Sequence, residues 1–232
     1  SLPDALPISM LDLQAQWANQ RKLIKGRIKP VSLDSSMFES RHVSRHFEFR
    51  QRQSARGGSG KRGKTSGKAA GNRRRSRVVR GLPKLSLAVA ANCHLILAAR
   101  ATTGGGADQR FFEPLLLDVR RRAAVKTVVA DAGYDSESNH RIARQDMAIR
   151  SIIPPYAGRP TSKPPVGHHR RNMHHRFKRK ADKAQYGQRW QSETVNSMIK
   201  RNLESALRAK TAPRRRNELL LRVVTHNIML LR

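Results

Sequence analysis

Thr127-Val128-Val129-Ala130-Asp131-Ala132-Gly133-Tyr134-Asp135 decides the fold. An apolar run of four residues, three of them without polar atoms, reads as a short buried strand. It stops on a carboxylate and passes into a turn. Upstream, Asp108 stands where a cap would open a helix carrying Phe111, Phe112, Leu115, Leu116 and Val119 at spacings of three and four. Before that, Leu85, Leu87 and Val89 alternate with Ser86, Ala88 and Ala90. Asn92-Cys93-His94 is a turn and Leu95 to Ala101 a second strand, so the two form a hairpin. Earlier still, Lys29 to Ser36 reads as a strand ending on Asp34. Downstream, Ser136 opens a helix to Met147, and Ile149 to Ile153 is a strand stopped by Pro154-Pro155. Tyr186 to about Ala209 is a long helix and Arg216 to Leu231 another. The order of strand, hairpin, helix, strand, helix, strand and helix predicts an α/β domain with a mixed sheet flanked by helices. Two strands end on lone carboxylates, and sites of open α/β sheets gather at such ends.

Composition bounds the function. The chain has 232 residues, with 48 Lys+Arg against 16 Asp+Glu, a net charge of +32. Self-repulsion on that scale costs compactness, and a polyanion, by default nucleic acid, compensates it. A single cysteine, Cys93, excludes a disulfide scaffold and a Cys-based zinc finger; in a hairpin turn it is expected to be inert. No apolar run reaches the length of a membrane-spanning helix. No signal peptide is visible, so a cytoplasmic, nucleoid-associated protein without membrane contact is expected.

The charge is concentrated. Residues 41–80 hold 14 Lys/Arg and one acid, Glu48, with six glycines and no large apolar residue from Arg56 to Arg77. The expectation is a long, flexible basic insertion that grips DNA phosphates, with Arg73, Arg74 and Arg75 among the contacts. Residues 157–183 form a second basic loop by the same reading. His168-His169 and His174-His175 within it invite a zinc reading, but a loop gives them no scaffold. At the start, Met10 to Lys25 suits a short helix, whereas Ser1 to Ser9 lacks periodicity and resembles translated adapter sequence. Residues 1–29 are read as a truncated N-terminal remnant and 30–232 as the functional domain.

Three acids carry the chemistry: Asp34 and Asp131 on strands, Glu193 on the long helix. At 100° per residue, Tyr186, Arg189, Glu193 and Lys200 share a sector of about 60°, beside an apolar face of Val195, Ile199, Leu203 and Ala206. The helix can pack on the sheet and still aim Glu193 at the strand ends. Converging carboxylates repel unless a cation lies among them, and hard oxygen ligands suit Mg²⁺ or Mn²⁺. Such ions can activate an attacking oxygen and stabilise a leaving one at a phosphodiester.

Asp34-Ser35-Ser36-Met37-Phe38-Glu39-Ser40-Arg41-His42, Asp131-Ala132-Gly133-Tyr134 and the Tyr-x2-Arg-x3-Glu-x6-Lys block at Tyr186, Arg189, Glu193 and Lys200 resemble the catalytic blocks of DDE transposases, in the bacterial insertion-sequence branch with the YREK motif. The likeness runs from about residue 30 to the end. It implies a ribonuclease H-like core, with Asp34, Asp131 and Glu193 as the metal-binding triad and Tyr186, Arg189 and Lys200 at DNA phosphates near the scissile bond. It further implies double-stranded DNA, both element ends and target, as partner, and a homodimer in a synaptic complex. The family usually has Thr-Gly after the first Asp-Ser; Ser36-Met37 stands here, with strain expected in a turn built for glycine. The competing readings are a ribonuclease H-like nuclease and a non-catalytic, decayed nucleic-acid-binding protein.

Overall fold

A computed structural model describes residues 2–40, 82–103, 106–155 and 165–232. The basic insertion expected over 41–80, with Arg73, Arg74 and Arg75, lies outside the described residues. The elements are α1 (Leu2–Gln20), β1 (Val31–Met37), β2 (Glu39–Ser40), β3 (Pro83–Ala90), β4 (Ile96–Thr103), α2 (Phe112–Arg122), β5 (Thr127–Ala130), α3 (Glu137–Arg141), β6 (Arg150–Ile152), α4 (His168–Arg176), α5 (Lys180–Gly187), α6 (Trp190–Asn202), β7 (Ala206–Leu207) and α7 (Ala212–Leu231).

The main sheet has the order β4-β3-β1-β5-β6. The β3–β4 hairpin and β1 are antiparallel, whereas β1, β5 and β6 run parallel. This is the mixed, helix-flanked α/β fold that the element order predicts, and it is consistent with the ribonuclease H-like core that the resemblance implies. Alternation divides β1 between the sheet faces: Val31 and Leu33 join a core with Phe112, Leu115, Leu116 and Val119 of α2. Ser32, Asp34 and Ser36 are left for the other face, where Val195 and Ile199 of α6 pack with Leu219 and Val223 of α7. Core packing, rather than helix propensity, thus fixes which residues of β1 can do chemistry.

Several boundaries depart from the sequence reading. Helix α1 begins at Leu2 instead of Met10 and ends at Gln20, with Pro7 inside it. Its Ala18 joins the main core, and Arg122 binds Asp12 at 2.7 Å. Asp108 does not cap α2: it lies in a 3₁₀ turn, Asp108–Phe111, and pairs with Lys84. Strand β1 does not end on Asp34 but runs on to Met37, which pairs with Lys84 of β3. Met37 is therefore in regular extended backbone, and the turn strain expected there does not arise. The basic 157–183 segment is not a loop in its described part: α4 and α5 occupy it, so the four histidines sit on a helix. The long C-terminal helix is two, α5 and α6, parted at Gln188-Arg189, because α5 packs on β5 and β6 while α6 packs on β1 and β3. It also ends earlier: Ala206-Leu207 pair with Glu39-Ser40 as a parallel ribbon, held by Arg222 at the Ala206 carbonyl, 2.9 Å.

Helix α4 hangs on a few polar contacts. Gly167 precedes it at φ +106°, a conformation that favours glycine, and a Cβ there would collide with the Glu137 carboxylate. That carboxylate accepts from the backbone N–H groups of His169 (2.9 Å) and Arg170 (3.0 Å). Burial opposes its charge, but these two bonds prevail and hold its pKa below the ordinary glutamate value. A depressed native pKa gives stability that is present above the unfolded glutamate range and lost as pH falls through the native value. Glu137→Gln should therefore cost on the order of 1 kcal/mol at pH 7, a difference that shrinks towards zero on acidification below the carboxylate range. Parallel thermal melts of both proteins at pH 7 and pH 3 check it.

Candidate active site

The last parallel pair of β1 and β5 is Leu33 with Ala130. Asp34 and Asp131 are the next residues on each strand, so the register sets them side by side where the parallel strands part. Asp131 is exposed and its carboxylate accepts from the Ala132 N–H at 2.7 Å. Asp34 is half-buried.

Helix α6 lies along β1 in a repeating register. Ser192 bonds Ser32 (Oγ to Oγ, 2.7 Å), Asn196 donates to Asp34 (2.9 Å) and Lys200 donates to Ser36 (2.7 Å). The match is geometric: two strand residues advance about 6.6 Å and four helix residues about 6.0 Å. Neither Ser192 nor Asn196 was legible as functional in the sequence, since an i, i+4 pair means little until the i, i+2 partners on a strand are known. This seam carries Glu193, half exposed, within electrostatic reach of Asp34.

Arg189 occupies the centre. Its guanidinium donates to Glu193 at 2.5 Å and lies 5.8 Å from the Tyr186 ring centroid. Partial burial works against its charge, yet Glu193, Tyr186 and Asp131 raise its pKa. Burial pushes the Asp34 carboxyl above its ordinary value; the Ser35 N–H, the Asn196 amide and Arg189 offset part of this, and Glu193 adds to the rise. The Tyr186 hydroxyl is likewise pushed up, first by burial, against Arg189 and with the charge of Asp131. The three acids and Arg189 thus share one electrostatic neighbourhood. Lys200 stands at its edge, 5.1 Å from the Phe38 ring centroid.

The donor set suits a hard divalent cation in kind, being three carboxylates with exposed oxygens on two of them. It is not a ready-made cage: among the described residues no three His, Cys, Asp or Glu are grouped to hold a metal. Each acid is engaged by a hydrogen-bond donor, Asn196, the Ala132 N–H or Arg189. Arg189 supplies the positive charge among the acids.

Asp135, four residues after Asp131, is buried and takes Arg170 at 2.6 Å, which fastens α4 to the turn after β5. Cys93 is half-buried in the hairpin turn, and burial raises its pKa. Tyr134 makes a contact near Asp34 that only the fold reveals. Buried at 1% exposure, it reaches Ser35 with its hydroxyl, 2.8 Å, and so braces the residue after Asp34.

A family model described as "Transposase DDE domain" matches residues 27–228. The chain belongs to the DDE transposase family. No curated protein and no solved structure matches it. The match spans β1 through most of α7, so it takes in the strand ends, the seam and Arg189 together. For a DDE transposase domain, a basic surface around clustered acids is consistent with a DNA substrate. Among the described residues no helix is long and apolar enough to cross a membrane.

Proposed function

We propose that this DDE transposase cleaves DNA at the ends of an insertion sequence of the YREK branch and joins them to target DNA. The observation that supports the reading is the α6–β1 seam, where Asn196 holds Asp34 and Arg189 holds Glu193, near enough for the charge of Glu193 to act on Asp34. Water attacks the phosphodiester at an element end and breaks its P–O3′ bond, which frees a 3′-hydroxyl and leaves the phosphate on the 5′ end of the flanking strand; that hydroxyl then attacks a target phosphodiester, forming a new 3′–5′ linkage and expelling the target's own 3′-hydroxyl. Asp34, Asp131 and Glu193 would hold Mg²⁺ or Mn²⁺, which supplies Lewis-acid charge stabilisation at the reacting phosphate. Arg189, released from Glu193, offers a planar pair of donors to two phosphate oxygens. Lys200 gives a point charge beside Ser36, and Tyr186 keeps Arg189 oriented. Asn196 fixes the rotamer of Asp34. Action as a homodimer on paired element ends, in the cytoplasm at the nucleoid, completes the proposal.

The test is nicking of supercoiled plasmid with Mg²⁺ and with EDTA. Nicking that requires the divalent ion supports the reading; binding without nicking leaves the non-catalytic alternative. Arg189→Ala should slow cleavage about tenfold or more, since charge-assisted bonds are worth about 1.5–3 kcal/mol. Single-turnover rates check it, and unchanged rates would mean that Arg189 only solvates Glu193.

A further inference from the structure

The basic surface of α4 and α5 has no part in the chemistry above, yet it is strongly cationic. From Pro165 to Gly187 the chain has seven Lys/Arg and one acid, Asp182. That acid is buried at 2% exposure and serves two arginines, Arg150 and Arg176. Arg171, Lys178, Arg179, Lys180 and Lys183 are exposed, and no acid pairs with them among the described residues. The guanidinium groups crowd each other: burial, Arg176 and then Arg179 lower the pKa of Arg150.

This crowding is built in rather than floppy. Met173 is buried against Val129 and Ile152, with Phe177 and Tyr186 packed beside it. The Phe177 and Tyr186 rings meet edge to face, 5.2 Å between centroids. Asp135, Glu137 and Asp182 are spent on anchoring α4 and α5 from below. A solvated helix face needs no such rigid footing, and uncompensated cations on a rigid ridge cost free energy until a polyanion covers them. The ridge also leads to the site, because Lys183 lies one helical turn before Tyr186 on α5.

We propose that α4 and α5 form a preorganised phosphate-binding ridge for duplex DNA flanking the scissile bond, with Arg171, Lys178, Arg179 and Lys183 as its contacts. The identity of the flanked bond rests on the transposase reading; binding by the ridge does not. Contacts of this kind position DNA without reading its sequence.

The experiment measures binding of a random-sequence DNA duplex against salt in EDTA, where cleavage plays no part. The full chain is compared with the quadruple variant Arg171→Gln, Lys178→Gln, Arg179→Gln, Lys183→Gln. Each lost phosphate contact removes about 0.9 from the log–log slope, so loss of four should flatten it by roughly 3.6. A matched control removes four charges at the opposite strand ends, Lys22→Gln, Lys25→Gln, Arg27→Gln and Arg120→Gln. Thermal melts confirm that both variants fold. The proposal requires the ridge variant to lose at least about 2 units of slope and the control to lose less than half as much. A smaller loss in the ridge variant, or an equal loss in the control, overturns it. Plasmid nicking by the unaltered chain is scored separately. A flattened slope without nicking keeps the ridge and removes the transposase reading; nicking with an unchanged slope does the reverse.

Discussion

Asp131→Asn should abolish most cleavage while plain DNA binding stays within a few-fold. The substitution keeps shape and the hydrogen bond from the Ala132 N–H but removes one negative charge. A divalent ion needs that charge, and a neutral amide oxygen replaces it poorly. Losing one ligand of a shared site costs several kcal/mol of transition-state stabilisation, or about 10³-fold in rate. Binding, in contrast, comes from the cationic surface, which the change leaves intact. The measurement is paired: single-turnover nicking with Mg²⁺, and duplex affinity in EDTA. A variant that nicks like its parent would show that Asp131 is no ligand. A variant that loses both activities together would point to misfolding, which its thermal melt resolves.

The second large effect is on stability. Phe112→Ala should cost about 3–5 kcal/mol, the range for truncating a fully buried aromatic. Phe112 is at 0% exposure between α2 and the sheet, and its ring lies 6.3 Å from that of Tyr134, tilted by 51°. Truncation leaves a cavity beneath Tyr134, whose hydroxyl braces Ser35 next to Asp34. Chemical denaturation should show the loss as a lower midpoint with an unchanged slope. Tyr134→Phe separates the two roles: it removes the Ser35 contact and little volume, so it should cost about 1 kcal/mol. If Phe112→Ala costs under 1 kcal/mol, the core between α2 and the sheet is not packed as described.

Much of the architecture was legible because the signals are local. Alternation in Leu85–Ala90, the apolar run Thr127–Ala130 and the 3–4 spacing from Phe111 to Val119 depend on a period within one element. They led to the hairpin, to β5 and to the helix, with Asp131 at the end of its strand. The three acids and the Tyr-Arg-Glu-Lys block were legible as residue types in a given order. Their spatial relation was not. A helical wheel drawn from Tyr186 assumed one continuous helix, but α5 and α6 serve different strands and so bend apart at Gln188-Arg189. The wheel still placed Arg189 near Glu193, because both belong to the turn that opens α6.

Local reading failed where distant partners decide conformation. Ala206 looked like the apolar face of a helix; it became a strand because Arg222, 16 residues on, binds its carbonyl and Glu39-Ser40 pair alongside. Met37 looked like strain in a turn; pairing with Lys84 made it plain strand. His168 to Arg176 looked like a loop for want of apolar residues. One buried methionine and three buried or capping acids from other segments hold it as a helix. By itself, then, the sequence determined the strands of the main sheet, helices α2 and α7 and the cationic character, since these follow from side-chain type and short-range period. Tertiary structure alone decided that Ser192, Asn196 and Lys200 lock onto Ser32, Asp34 and Ser36. That lock requires two unlike repeats, two residues of strand and four of helix, to advance by nearly equal distances, and no single segment contains both.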